Sequence, residues 1–291
     1  MKTLSCVLQR FLKEVVMIKT CFIASAGFGT RMGELGKVIP KPLWPFLNLK
    51  MLDLQVAYAR NLGCENIYIN SHHCHEEMLD WAKDKNVTLL YEPEILGSGG
   101  CIHNLKKVVD NEIILIINSD QFYFFDFENI KSDYYNLERC DAVAHLYAIN
   151  VDGNSSYNET VLKDGHLIDI IPHEGSGDYF TYSGVGLINL GKVNYTPGSS
   201  GFFKTVCDYK SSNVLMSLPD NPVFLDLGTL DKYLSVISKL DEIPNVIVNF
   251  LKGIPELDTS DFKSQKKMTW CGVTFDFENK LIKYNGASYS F

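Results

Sequence analysis

Residues 21–46 read CFIASAGFGTRMGELGKVIPKPLWPF, and the reading of this stretch decides the fold. A short apolar run, Cys21 to Ala24, breaks into a small-residue loop holding Gly27 and Gly29, followed at once by Thr30 and Arg31; ten residues later comes Lys41, between Pro40 and Pro42. Glycines after a buried strand let main-chain N–H groups approach a ligand closely, and the two cations beside them supply charge, so the expected guest is a phosphate chain. The flanking prolines fix their own φ and push Lys41 toward extended geometry, which aims its ammonium group at one place. Two generic glycine loops fit poorly. A P-loop carries its lysine directly after the glycine run and before Ser or Thr, whereas Lys41 lies far downstream and precedes a proline. A dinucleotide fingerprint needs a third glycine, and Gly27-Phe28-Gly29 continues to Met32 instead.

Working outward, the chain's 291 residues, 46% apolar and 21% charged, can bury one large core or two unequal ones. A net charge of −8 argues against non-specific nucleic-acid binding, which is built from clustered Lys and Arg. An acidic protein that binds a nucleotide must concentrate positive charge locally or recruit a divalent cation, and the second route predicts carboxylates in the site. Eight cysteines without a C-x-x-C pair read as reduced, buried thiols of a cytoplasmic protein. Residues 1–16 form an N-terminal extension with Leu4, Leu8, Phe11, Leu12 and Val15 on helical spacing. Gln9, Arg10 and Lys13 interrupt it, so neither a signal peptide nor a membrane span is expected.

Downstream of the loop, Leu52, Val56, Ala59 and Leu62 share a helical face over residues 51–62. A strand over 67–70, a helix over 75–84 and an apolar run over 87–91 continue the alternation, which predicts a parallel sheet with helices on both faces and ligands at the carboxyl ends of the strands. His72, His73, Cys74 and His75 point in divergent directions at a strand-to-helix junction, so they read as loop residues, with Ser71 or a neighbour as helix cap. Glu92 to Cys101, EPEILGSGGC, follows a strand and opens a helix predicted over 101–109, on the same rim as the first loop. Residues 112–120, EIILIINSD, are the most convincing central strand and end in a carboxylate, Asp120, either a helix cap or a metal ligand. Residues 161–171 read as a hairpin about Asp164-Gly165, and 182–190 as a strand in which Gly184 allows close approach to a ligand. In FLDLGT, 224–229, Asp226 could be a cap alone. The tail, 241–291, carries short strands and no hexapeptide repeat of a β-helix.

The stretch from Ala26 to Pro42 resembles the signature of the sugar-1-phosphate nucleotidyltransferases, a glycine loop ending Gly-Thr-Arg and, about ten residues on, Pro-Lys-Pro. Ser25, Gly33, Glu34 and Gly36 depart from the usual residues of that loop. The resemblance implies a Rossmann-like, three-layer α/β fold with a mixed, mainly parallel central sheet, a catalytic domain over 17–240 and a segment over 241–291 packed on it. It further implies nucleotide contacts from Ala26, Gly27, Gly29, Thr30, Glu92, Gly97, Ser98, Gly99 and Gly100, and sugar contacts from Asn118 and Gly184. Asp120 and Asp226, the latter in a match to Asp-x-Gly-Thr, would hold one Mg²⁺. Arg31 would stabilise the pentacoordinate phosphorus and departing pyrophosphate, and Lys41 would hold a substrate phosphate. The Glu-Lys-Pro motif of such proteins is missing, since Pro172, His173 and Glu174 stand there. The implied partners are a nucleoside triphosphate and a sugar-1-phosphate, first GTP with mannose 1-phosphate or a related hexose or heptose phosphate. UTP with an N-acetylamino sugar phosphate and CTP with phosphocholine are the alternatives, beside a non-catalytic regulatory relative. A nicotinamide-dependent oxidoreductase would need the third glycine and an acidic residue after the second strand. No nucleic-acid or membrane partner is expected, and a homodimer is an open expectation.

Overall fold

A computed structural model describes residues 18–291 except Phe28, Asp110, Asp126, Asp261, Phe262 and Ser264; the extension expected at residues 1–16 lies outside the described residues. The first half alternates as the hydrophobic pattern requires. Strand β1 (Thr20–Ala24) leads through the glycine loop to α1 (Met51–Asn61), β2 (Asn66–Ser71), α2 (His75–Ala82), β3 (Thr88–Tyr91), α3 (Gly97–Leu105) and β4 (Ile113–Asn118). There follow β5 (Gln121–Phe124), α4 (Phe127–Arg139), β6 (Ala144–Val151), β7 (Asn158–Lys163), β8 (His166–Pro172) and β9 (Tyr179–Asn189). Then come β10 (Val214–Ser217), β11 (Val223–Asp226), α5 (Leu230–Ile237), α6 (Asn245–Lys252) and β12 to β15 (Lys267–Trp270, Val273–Asp276, Leu281–Tyr284, Ala287–Ser290).

Nine strands make one mixed sheet in the order β3-β2-β1-β4-β9-β6-β10-β8-β7. Its half carrying the glycine loop is parallel, and the long β9 then runs antiparallel to both β4 and β6. β1 and β4 lie inside the sheet, which is why both are apolar throughout: Cys21, Ile23, Leu115 and Ile117 face one layer, Phe22, Ile114 and Ile116 the other. Leu52 and Tyr58 of α1 cover the first face, and Ile102 and Leu105 of α3 the second. Burying each such side chain contributes about 1.5–3 kcal/mol. The Asp164-Gly165 hairpin forms as expected, with φ of 51° and 77° at its two corner residues, the geometry of a two-residue turn that suits strand twist.

The tail forms a four-stranded antiparallel sheet, β12-β13-β14-β15, that closes over the first layer. Phe275 and Trp270 reach the same core as Trp44 and Tyr233, with Trp44 and Tyr233 edge-to-face at 5.1 Å between ring centroids and Tyr233 5.8 Å from Phe275.

Three local expectations are overturned. α3 begins at Gly97 rather than at residue 101, so the glycines form its first turn. Their N–H groups find partners outside the helix, Gly99 N–H donating to the Ser200 carbonyl at 2.9 Å, and this support offsets the poor helix propensity of glycine. α2 is capped by Cys74 in left-handed conformation, while the Ser71 hydroxyl pairs with the His75 ring at 2.8 Å. Lys41 opens a 3₁₀ turn (Lys41–Leu43) instead of standing extended, because Leu43 N–H reaches the Pro40 carbonyl at 2.8 Å and Trp44 N–H the Lys41 carbonyl at 3.0 Å.

Candidate functional site

A cavity of about 570 Å³ opens at the carboxyl ends of β1 and β4. Its floor is set by β1 ending at Ala24, where the chain must leave the sheet. Ser25 N–H and Ala26 N–H both donate to Asn70 Oδ1, at 2.7 and 3.2 Å, and the Ser25 hydroxyl donates to the Asn70 carbonyl. Asn70 in turn donates to Glu92 Oε1 at 2.8 Å, and Glu92 Oε2 accepts Leu96 N–H at 3.0 Å. Glu92 is thus buried, 1% exposed, and braces the glycine loop through Asn70 rather than lining the cavity.

Beyond Gly27 the loop makes two short 3₁₀ turns, Thr30–Met32 and Glu34–Lys37. Gly36 is required there: a Cβ on it would stand 2.5 Å from the Gly29 carbonyl oxygen. Ala26, Gly27, Gly29 and Arg31 line the cavity; Arg31 is exposed and makes no ion pair among the described residues. A Cβ on Gly27 would meet nothing within 4 Å, so its backbone is open to a ligand.

Asp120 and Asp226 come together through a short two-stranded ladder. β11 pairs with β5, placing Asp226 opposite Gln121, and Leu227 N–H donates to the Asp120 carbonyl at 2.8 Å. A Cβ on Gly228 would stand 2.8 Å from Asp226 Oδ1 and 3.3 Å from Asp120 Oδ2, so both carboxylates reach one point. Each already has a lysine against it. Lys41 Nζ donates to Asp120 and, at 3.1 Å, to the Gly228 carbonyl. Lys232 Nζ donates to Asp226 Oδ2 at 2.5 Å, and the Tyr157 hydroxyl donates to the same oxygen. Two hard oxygen donors side by side, with ammonium groups drawn onto them, fit a divalent cation that would take its other ligands from phosphate and water.

Burial pushes the Asp226 carboxyl up, but the Lys232 ammonium, the Tyr157 hydroxyl and the Gly228 N–H outweigh it, and the group sits below its ordinary 3.8. Burial pulls the Lys232 ammonium down, yet Asp226 and Tyr157 more than compensate and raise it above 10.5. The carboxylate's stabilising contribution is therefore present above 3.8 and lost as pH falls through the lower folded value. That of the lysine is complete below 10.5 and lost as pH rises through the higher folded value. Lys232→Met should raise the Asp226 pKa, because burial then acts with less opposition; a carbon-13 NMR titration showing no upward change would contradict the pairing.

Asn118 lines the cavity and donates to Gln121 Oε1 at 2.8 Å. Gly184, at φ +83°, sits directly behind this pair: a Cβ there would fall 2.3 Å from Asn118 Nδ2 and 2.4 Å from Gln121 Oε1. Its glycine leaves room for that amide pair, and Gly184 does not itself line the cavity. Of the second glycine run only Ser98 lines it; Gly97, Gly99 and Gly100 lie beneath the 198–201 segment. Thr30 contributes the backbone of the first 3₁₀ turn. Four lining residues were missed from the sequence: Gln121, Ser156, Tyr157 and Lys232. Lys232 alone had a signal, since Thr229 caps α5 by accepting Lys232 N–H at 3.3 Å and so fixes its backbone in the first turn of that helix, close after Asp226.

The sequence model for nucleotidyl transferases matches residues 21–157, which carry the glycine loop, Lys41 and Asp120. D-glycero-alpha-D-manno-heptose 1-phosphate guanylyltransferase of Campylobacter jejuni is 28% identical over 158 residues, half of this chain and 71% of that protein. Mannose-1-phosphate guanyltransferase of Saccharomyces cerevisiae is 28% identical over 157 residues, again half of this chain but 43% of the yeast protein, so the match spans less than half the length of that relative. Among solved structures, HddC from Yersinia pseudotuberculosis superimposes with a TM-score of 0.63 at 20% identity, covering 75% of this chain and 97% of HddC. That likeness shows the Rossmann-like fold shared with this chain.

Proposed function

We propose that the chain is a sugar-1-phosphate nucleotidyltransferase, joining a sugar-1-phosphate to a nucleoside triphosphate and releasing pyrophosphate, a reading supported by the family match and the relatives' activities. The observation that carries this reading is the convergence of Asp120 and Asp226, far apart in the chain, with Arg31 and Lys41 about one cavity. In the reaction a sugar phosphate oxygen attacks the α-phosphorus and the bond to pyrophosphate breaks. No base is needed, since a phosphate monoester is largely deprotonated at neutral pH. What the protein must do is bring two anions together and hold them in line. The open backbone at Gly27, with Gly29 beside it in the cavity lining, receives the triphosphate, Arg31 stabilises charge on the reacting phosphorus and leaving group, and Lys41 holds a phosphate. Asp120 and Asp226 would hold Mg²⁺, which when bound would supply charge neutralisation at the phosphates.

GTP with mannose 1-phosphate or a heptose 1-phosphate is the first choice of substrates, supported by the activities for which the Campylobacter and yeast relatives are named and by the HddC structure complexed with GMP-PN, which aligns at a TM-score of 0.61. UTP with an N-acetylamino sugar phosphate and CTP with phosphocholine remain the alternatives. A non-catalytic relative would be expected to have lost one of Arg31, Lys41, Asp120 or Asp226, and all four are present. Seven free cysteines among the described residues support a reducing, cytoplasmic setting, and no described helix is long and apolar enough to cross a membrane. The test is pyrophosphate release from each triphosphate with each acceptor, with Mg²⁺ and with EDTA. Release with one guanosine pairing, abolished by EDTA, is expected; no release from any pairing would sink the reading.

A further inference from the structure

Lys232 is a third cation of the cavity. With Arg31 and Lys41 it faces Asp120 and Asp226, and the cavity's formal charge is +1, three cations against two carboxylates. Arg31 and Lys41 come from the glycine-loop wall, where the triphosphate is received. Lys232 comes from α5, remote from them in the chain, and lines the cavity together with Ser156 and Tyr157. The segment Pro172-His173-Glu174 places no cation there: His173 pairs with Glu159 at 2.8 Å, stacks on Tyr179 at 3.9 Å and does not line the cavity.

The backbone of Lys232 is fixed by the Thr229 cap, while its side chain is 44% exposed and free to swing. Its ammonium lies 2.5 Å from Asp226 Oδ2, 3.2 Å from the Tyr157 hydroxyl and 4.9 Å from the centre of the Tyr157 ring. A divalent cation reached by Asp226 Oδ1 withdraws charge from the carboxylate and repels an ammonium held on its Oδ2, so the two compete for Asp226. The tyrosine face gives the displaced ammonium a resting place turned to the cavity.

Resting on the nucleotidyltransferase reading, we propose that Lys232 is a counter-ion of Asp226 in the empty protein and the phosphate ligand of the acceptor once a divalent cation takes that carboxylate. The phosphate-binding lysine on the acceptor side of this chain is then carried by α5. The exchange also sets an order, in that the free protein takes up a metal ion poorly and binds it well only when phosphate is present to receive Lys232.

The test uses the full chain, wild type, Lys232→Met and Lys232→Arg, with Mn²⁺ alone followed by electron paramagnetic resonance and with inorganic phosphate titrated calorimetrically in the presence of Mn²⁺. Lys232→Met should bind Mn²⁺ about threefold or more tightly than wild type, since a competing half-exposed cation is gone. It should bind phosphate about tenfold or more weakly, whereas Lys232→Arg keeps phosphate binding within about threefold of wild type. A lysine that merely supports the fold would not move these two affinities in opposite directions. Unchanged Mn²⁺ affinity in Lys232→Met, unchanged phosphate affinity, or no Mn²⁺ binding by any of the three proteins overturns the proposal. Opposed shifts without pyrophosphate release in the substrate panel would uphold the exchange and remove the proposed reaction, so the two can fail separately.

Discussion

Asp120→Asn lowers turnover in a pyrophosphate-release assay by about a hundredfold or more, while the melting temperature moves little. Asn is isosteric and still accepts a hydrogen bond from Lys41, whose ammonium keeps the Gly228 carbonyl at 3.1 Å as a second partner, so the local structure has little reason to change. The charge is what is lost. Without it the point reached jointly by Asp120 Oδ2 and Asp226 Oδ1 has one anionic oxygen donor in place of two, and the proposed alignment of two phosphates about a cation at that point would fail. Asp226 cannot compensate, since it still brings a single carboxylate to that point, with its oxygens held by the Tyr157 hydroxyl and the Gly228 N–H. Turnover within about threefold of wild type would show that Asp120 has no part in the chemistry.

Gly99→Ala has the opposite signature, a loss of stability first. The added Cβ would stand 2.6 Å from the Gly201 oxygen and 2.7 Å from its carbonyl carbon, both backbone atoms that no rotamer change can move aside. The segment cannot simply retreat, because Ser200 N–H donates to the Leu96 carbonyl at 2.9 Å and Phe202 N–H to Ser98 Oγ at 3.0 Å. Overpacking of this kind costs about 1–3 kcal/mol, and each kcal/mol lowers the melting temperature by about 2–4 °C in a chain of comparable size. Nucleotide affinity should fall as well, since Ser98 lines the cavity from the same turn. Gly27→Ala is the control: its Cβ meets nothing within 4 Å, so stability holds and only ligand approach suffers. A melting temperature for Gly99→Ala equal to that of wild type would mean the 198–201 segment does not pack on α3 as described.

The two glycine runs show where motif reading succeeds and where it stops. In the first run the spacing of Gly27, Gly29, Arg31 and Lys41 is local, and the cavity receives all four. In the second, glycine was expected to expose backbone to a nucleoside, yet Gly97, Gly99 and Gly100 make room for a chain segment about a hundred residues away. Sequence carries the absence of a side chain but not the identity of what fills the space. Glu92 follows the same logic: its carboxylate was expected beside the ligand and instead braces Asn70 and the start of α3.

By itself the sequence determined the alternation of strand and helix, the apolar interior strands β1 and β4, the charged glycine loop at a strand's carboxyl end and the carboxylates Asp120, two residues past the end of β4, and Asp226, at the end of β11. These follow from periodicity, proline and glycine chemistry and the burial of apolar runs, all of which act over a few residues. Only the tertiary structure decided that Lys232 and Tyr157 stand against Asp226, that Lys41 neutralises Asp120, and that the tail sheet enters the main core through Phe275 and Trp270. Each of these joins residues remote in the chain through β5–β11 pairing and the packing of one layer on another, and no local propensity encodes which distant side chain will complete a charge pair.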